Sequence, residues 1–124
     1  MSVDLFKKYG VTFNENEIIF CEHEKGDKMY IIMNGEVKIS RIGRTHEQVL
    51  AILKEGDIFG EMAIVEDKPR SATAVSLTST RLLAFGKEDF DFIFDREPEL
   101  AVKLIRILAK RLKDTYDMLK RSIR

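Results

Sequence analysis

The chain has 124 residues, 44% of them apolar and 34% charged, with 21 basic against 21 acidic side chains. That length suits a single domain with one hydrophobic core, and the balanced charge gives no global electrostatic case for nucleic acid or a membrane surface. No apolar run reaches membrane-spanning length, the start MSVDLFKKYG lacks a signal-peptide apolar stretch, and the lone Cys21 excludes an internal disulfide, which fits a reducing cytoplasm.

In chain order, Asp4 to Lys8 reads as a short helix closed by Gly10. Short β-type runs follow, the first two being Ile18-Ile19-Phe20 and Met29 to Met33. Asn34-Gly35 then precedes a strand in which Val37, Ile39 and Ile42 alternate with polar residues, and Asn-Gly between two such runs predicts a β-hairpin. Val49 to Leu53 is the next strand, ending at the turn Glu55-Gly56-Asp57. Ala72 to Leu77 and Arg81 to Phe85 read as a late pair joined through Thr78-Ser79. Many short strands with regular turns predict a sandwich or barrel.

The periodicity then becomes helical. Glu88 to Phe94 reads as a short helix, and Pro98 suits the first turn of a longer one. Ala101, Ile105, Leu108, Leu112, Thr115 and Leu119 recur in steps of four and three, a heptad seam that predicts either helix pairing or burial against the β core. The expected architecture is mainly β with flanking helices. It is one domain over residues 1–124, a β-roll over about 11–86 and C-terminal helices over about 87–122. The last helix is locally basic, with Lys103, Arg106, Lys110, Arg111 and Lys113 among its cations; a solvated face accounts for this, and no direct nucleic-acid contact is expected.

The stretch FGEMAIVEDKPRSATAV, Phe59 to Val75, carries the chemistry. Gly60 precedes a short helical segment, Glu61 to Val65, whose first amides have no intrahelical partners and so favour an anion. Gly60 also lets the backbone approach a ligand closely. Nine positions after Glu61, Arg70 offers a fork that can bind two oxygens of one phosphate. Glu61 can accept hydrogen bonds from a sugar hydroxyl, and the small Ser71 and Ala72 leave room beside Arg70. A ribose with its phosphate closed back onto it meets both demands. A surface Glu-Arg ion pair, or Glu61 placed at a helix start for its charge, meets them without any ligand.

The order of elements, the Gly-Glu and Pro-Arg-Ser-Ala steps, and the glycines of EKGDKMYIIMNGEVKI and LKEGDIFGE (Gly26, Gly35, Gly56) resemble the cyclic nucleotide-binding domain family from about Phe13 to about Leu119. Asn16 stands where that family commonly has Gly, and Asn tolerates the positive φ such a position needs. The resemblance implies a jelly-roll-like β-roll with a short phosphate-cassette helix and a long C-terminal lid helix. It implies that Glu61 binds the ribose 2′-hydroxyl and Arg70 the cyclic phosphate. Backbone amides near Gly60, Met62 and Ala63, and from Ser71 to Ala72, would help. Ile39 and Leu50 match strand positions that pack on the base, although core packing explains them equally. AKRLKDTYD, Ala109 to Asp117, resembles the dimer helix of the activator members of the family, where Thr115 matches a base-contacting Thr; its other role would be to set helix register.

The resemblance therefore implies a sensor domain that binds cyclic AMP and signals through its C-terminal helix, with a homodimer as a further expectation. Ser71 matches members that accept guanine, so cyclic GMP is the alternative ligand. A second alternative is the sensor half of a DNA-binding regulator. Catalysis and a metal are not expected: His23 and His46 are far apart, with no His-x-His pair, and Cys21 suits a buried structural thiol.

Overall fold

The computed structural model describes residues 3–122. The polypeptide forms two compact units, one up to Glu88 and one from Asp89. In the first, helix α1 (Val3–Tyr9) leads into strands β1 (Gly10–Phe13), β2 (Ile18–Phe20), β3 (Lys28–Asn34), β4 (Val37–Ile42), β5 (Glu47–Leu53) and β6 (Ile58–Phe59). Helix α2 (Met62–Val65) and strands β7 (Thr73–Ser76) and β8 (Thr80–Gly86) complete it. The strands make two antiparallel four-stranded sheets, ordered β1-β8-β3-β6 and β2-β7-β4-β5. This is the β-roll with helices that the sequence predicts.

The core lies between the inner faces of the sheets. Phe20, Val37 and Ala74 from one sheet pack with Ile32, Phe59 and Leu82 from the other. Alternation along β4 explains the contribution of that strand: Val37 is buried and Ile39 half-buried on the inner side. At the other end of the unit, Leu5 of α1 is buried and the Tyr9 ring lies 4.9 Å from Phe85 of β8.

Two pairings differ from the sequence reading. Asn34-Gly35 does turn the chain, but β3 pairs with β6 and β8 while β4 pairs with β5 and β7. The turn therefore crosses from one sheet to the other and closes no hairpin. Residues 78 and 79 act in the same way between β7 and β8, so these two strands are not partners. The two crossings lie side by side. The Glu36 amide donates to Thr78 Oγ1 at 3.1 Å, and the Leu77 amide to the Glu36 carbonyl at 2.8 Å. Gly35 has φ of +106°, and a Cβ there would lie 2.5 Å from Thr80 Oγ1, so the contact requires glycine twice over. A true hairpin joins β4 to β5 around residues 43–46, with Ile42 opposite Glu47, which leaves His46 exposed.

Asn16 adopts φ of +65°, the conformation its position demands. Buried Ser76 holds that turn: its hydroxyl bonds the carbonyls of Asn14 and Glu17 and accepts from the Glu17 amide.

A 3₁₀ turn (Lys87–Asp89) runs across the boundary between the units; in the second unit it leads into α3 (Phe90–Arg96), and Pro98 opens the 25-residue helix α4 (Pro98–Ser122). Helix α3 packs on α4, with Ile93, Leu100, Ala101 and Leu104 buried. Further along, the seam is uncovered. Ile105, Leu108, Leu112 and Leu119 are exposed, as are Thr115 and Tyr116, while Lys113 and Asp117 pair at 2.9 Å beside them.

Candidate functional site

The site is built from the ends of strands. Phe59 closes β6, and Gly60 follows with φ of +75°, which aims the chain into α2. The bonds that start α2 run from the Ala63 amide to the Gly60 carbonyl at 3.2 Å and from the Ile64 amide to the Glu61 carbonyl at 3.0 Å. The Met62 amide precedes both. Glu61 occupies the N-cap with helical φ and ψ, and its carboxylate makes no side-chain capping bond. The half-buried Glu61 is therefore at the helix start without capping it.

After Pro69, Arg70 turns back toward this loop and is 8% exposed. Its Nη1 donates to the Gly60 carbonyl at 3.2 Å and its Nη2 to the Lys28 carbonyl at 2.9 Å. Lys28 opens β3 and Gly60 follows β6, so a side chain rooted beside β7 ties one sheet to the other. The Arg70 backbone is held as well: its amide donates to the Glu24 carbonyl, and its carbonyl accepts from the His23 amide, both at 2.8 Å. His23 has φ of +73°, which bends the 21–24 turn around the arginine.

The guanidinium lies over the Phe20 ring, 4.0 Å from Cζ to the centroid. Its Nε is buried and has no hydrogen-bond partner among the described residues. Burial pulls the Arg70 pKa below its ordinary value, offset in part by Tyr30, Asp27 and Glu24. A guanidinium stays charged all the same, so this is a desolvated cation with an unused donor, a setting in which an anion's oxygen is favoured. A surface ion pair does not describe it, because both terminal nitrogens bind main-chain carbonyls.

Gly60, Glu61, Met62, Ala63, Arg70, Ser71 and Ala72 are thus brought together, with Ser71 exposed and Ala72 buried. Ile39 pairs with Ala74, two residues past Ala72, and so shares the sheet into which the cassette runs. Leu50 is the extra residue of a bulge, since Ile39 faces Ala51 while Ser40 faces Val49; it is 42% exposed. Thr115 lies on the exposed part of α4 in the second unit. Phe20 and Tyr30 carry no site signal in the sequence, whereas Gly26 and Phe59 stand in the motifs that carry the resemblance but without a role at the arginine. The partner of Phe20 is about fifty residues away, and nothing local to an Ile-Ile-Phe run marks a ring as a platform.

Residues 10–97 match the family model described as a cyclic nucleotide-binding domain. The chain belongs to that family. It is 37% identical over 111 residues to a CRP-like cAMP-activated global transcriptional regulator of Mycobacterium tuberculosis, covering 88% of this chain and 49% of that protein. It is 29% identical over 106 residues to a cGMP-dependent protein kinase of Toxoplasma gondii, covering 86% of this chain and 10% of the kinase. The crystal structure of the Thermus thermophilus catabolite activator protein superposes with a TM-score of 0.71 at 28% identity, covering 97% of this chain and 59% of that one. The chain thus spans about half the length of the first of these curated relatives. No group of three or more His, Cys, Asp or Glu able to hold a metal occurs among the described residues, and none of their helices is long and apolar enough to cross a membrane.

Proposed function

We propose that this cyclic nucleotide-binding domain is a cyclic AMP sensor in which Arg70 holds the cyclic phosphate and Glu61 the ribose 2′-hydroxyl. The observation that carries the reading is the buried Arg70 guanidinium, anchored by two carbonyls with Nε left over. Anchoring fixes the fork before any ligand arrives, which lowers the ordering cost of binding. The Met62 and Ala63 amides, and those of Ser71 and Ala72, supply further donors. Ile39 and Leu50 offer apolar surface to the base, and Thr115 of α4 a hydroxyl that can donate or accept.

Residues 1–124 act in this reading as one cytoplasmic sensor domain that binds its nucleotide without turning it over. Output comes from α4. A ligand shifts an equilibrium only by its differential affinity for two states, so the base must gain contacts in one position of the helix that it lacks in another. Leu112, Tyr116 and Leu119, exposed at 72%, 61% and 58%, are available for the base or for the same helix of a second copy. The 49% coverage of the Mycobacterium regulator supports a second reading, in which the domain is the sensor half of a DNA-binding regulator.

Ser71, exposed directly after Arg70, favours cyclic GMP as the alternative ligand because its hydroxyl can meet a guanine amino group. Competition between the two nucleotides for the purified chain decides between them. Tighter binding of cyclic AMP is expected, and a marked preference for cyclic GMP would reverse the assignment.

A further inference from the structure

Arg70 has a second neighbour besides its carbonyl partners. Phe20 is the last residue of β2 and is 8% exposed. Its ring centroid lies 5.9 Å from that of Phe59 and 6.0 Å from that of Tyr30, and these two stack on each other at 5.1 Å. Phe59 and Tyr30 come from the opposite sheet, so the Phe20 ring is packed between β2 and the β3–β6 pair. Its free face receives the guanidinium. Gly26 leaves the space through which that group passes, since a Cβ there would lie 2.3 Å from Arg70 Nε.

We propose that Phe20 is a positioning residue for the phosphate site. Its π-face fixes the plane of the Arg70 guanidinium and keeps water from one side of it, so that the fork is already held in one orientation when the anion arrives. The physical grounds are three. A ring face attracts a cation, and the attraction is greatest where water is excluded, as it is here. The planar fork of arginine rewards a fixed plane more than a point charge would. The two main-chain carbonyls hold Nη1 and Nη2 but leave the tilt of the plane undetermined, and the ring supplies that last constraint. The inference rests on the reading that Arg70 binds the phosphate, and deepens it.

Two variants test it. Phe20→Leu keeps an apolar side chain but removes the ring. Site-specific replacement of Phe20 by a trifluorinated phenylalanine keeps the ring's shape and drains its π-face. Calorimetric titration with cyclic AMP should show affinity falling about tenfold in Phe20→Leu, or about 1.4 kcal/mol. The fluorinated chain should lose about threefold while melting at the temperature of the unsubstituted chain. The Arg70 Nε–H resonance of the free protein should shift in both. Unchanged affinity in the two variants would overturn the proposal, as would a loss in Phe20→Leu with none in the fluorinated chain, which would make the ring packing alone. Arg70→Ala run alongside keeps the failures apart. If Arg70→Ala binds normally, the phosphate assignment itself falls, whereas a loss there with none at Phe20 rejects only the positioning role.

Discussion

Gly26→Ala is a one-carbon change whose effect can be worked from distances. The added Cβ would lie 2.3 Å from Arg70 Nε and 2.5 Å from both Cζ and Nη2. Ordinary carbon contacts begin near 3.5 Å, so the guanidinium must withdraw by roughly 1 Å or more. Its bonds to the Lys28 and Gly60 carbonyls stand at 2.9 and 3.2 Å, and a shift of that size takes both beyond hydrogen-bonding range. Each charged hydrogen bond is worth about 1.5–3 kcal/mol, part of which returns when the freed group reaches water. The net loss of stability should be about 1–3 kcal/mol, and cyclic nucleotide affinity should fall by about 10- to 100-fold. Gly56→Ala is the matched control. Gly56 has φ of +88° but nothing within 4 Å of its missing Cβ, so it should lose stability through backbone strain and keep its affinity. Urea unfolding and titration calorimetry on both proteins provide the readouts. Normal affinity in folded Gly26→Ala, or an equal loss in Gly56→Ala, would refute the geometry of the arginine slot.

Three further outcomes are expected. Ser76→Ala should cost about 1–3 kcal/mol in urea unfolding, because the buried hydroxyl serves Asn14 and Glu17 on the turn before β2. Glu47 is held below its ordinary pKa of 4.5, first by Lys38 and then by the Ser40 hydroxyl. A depressed folded-state pKa gives stability that is present above the ordinary value and lost as pH falls through the lowered one, so Glu47→Gln should flatten the acid limb of the stability profile. Hydrogen exchange over residues 110–119 should slow when cyclic nucleotide binds; identical exchange with and without saturating ligand would remove α4 from the mechanism.

The strands were legible where alternation and turn residues speak together, as in Met29 to Met33 and Val49 to Leu53. The partners of those strands were not. An Asn-Gly step marks a turn whether it closes a hairpin or carries the chain to another sheet; here only Gly35 takes a positive φ, and the pairing of β3 with β8 makes the step a crossing. Strand β6 has two residues, too few to show a period, and β1 was hidden because Gly10 reads as a helix stop when it is also the first strand residue. The site shows the same division. Glu61 and Arg70 declare themselves by type and spacing. The groups that hold Arg70 are two main-chain carbonyls and a glycine, which carry no side-chain signal, and one phenylalanine that the sequence presents as core.

The most direct test is titration of the unsubstituted chain and of Arg70→Ala with cyclic AMP. The account predicts saturable binding to the first, with one nucleotide per chain, and affinity lower by about 30-fold or more in the second, the loss expected when a buried charge partner is removed. Equal affinity for the two proteins, with both folded, would contradict it.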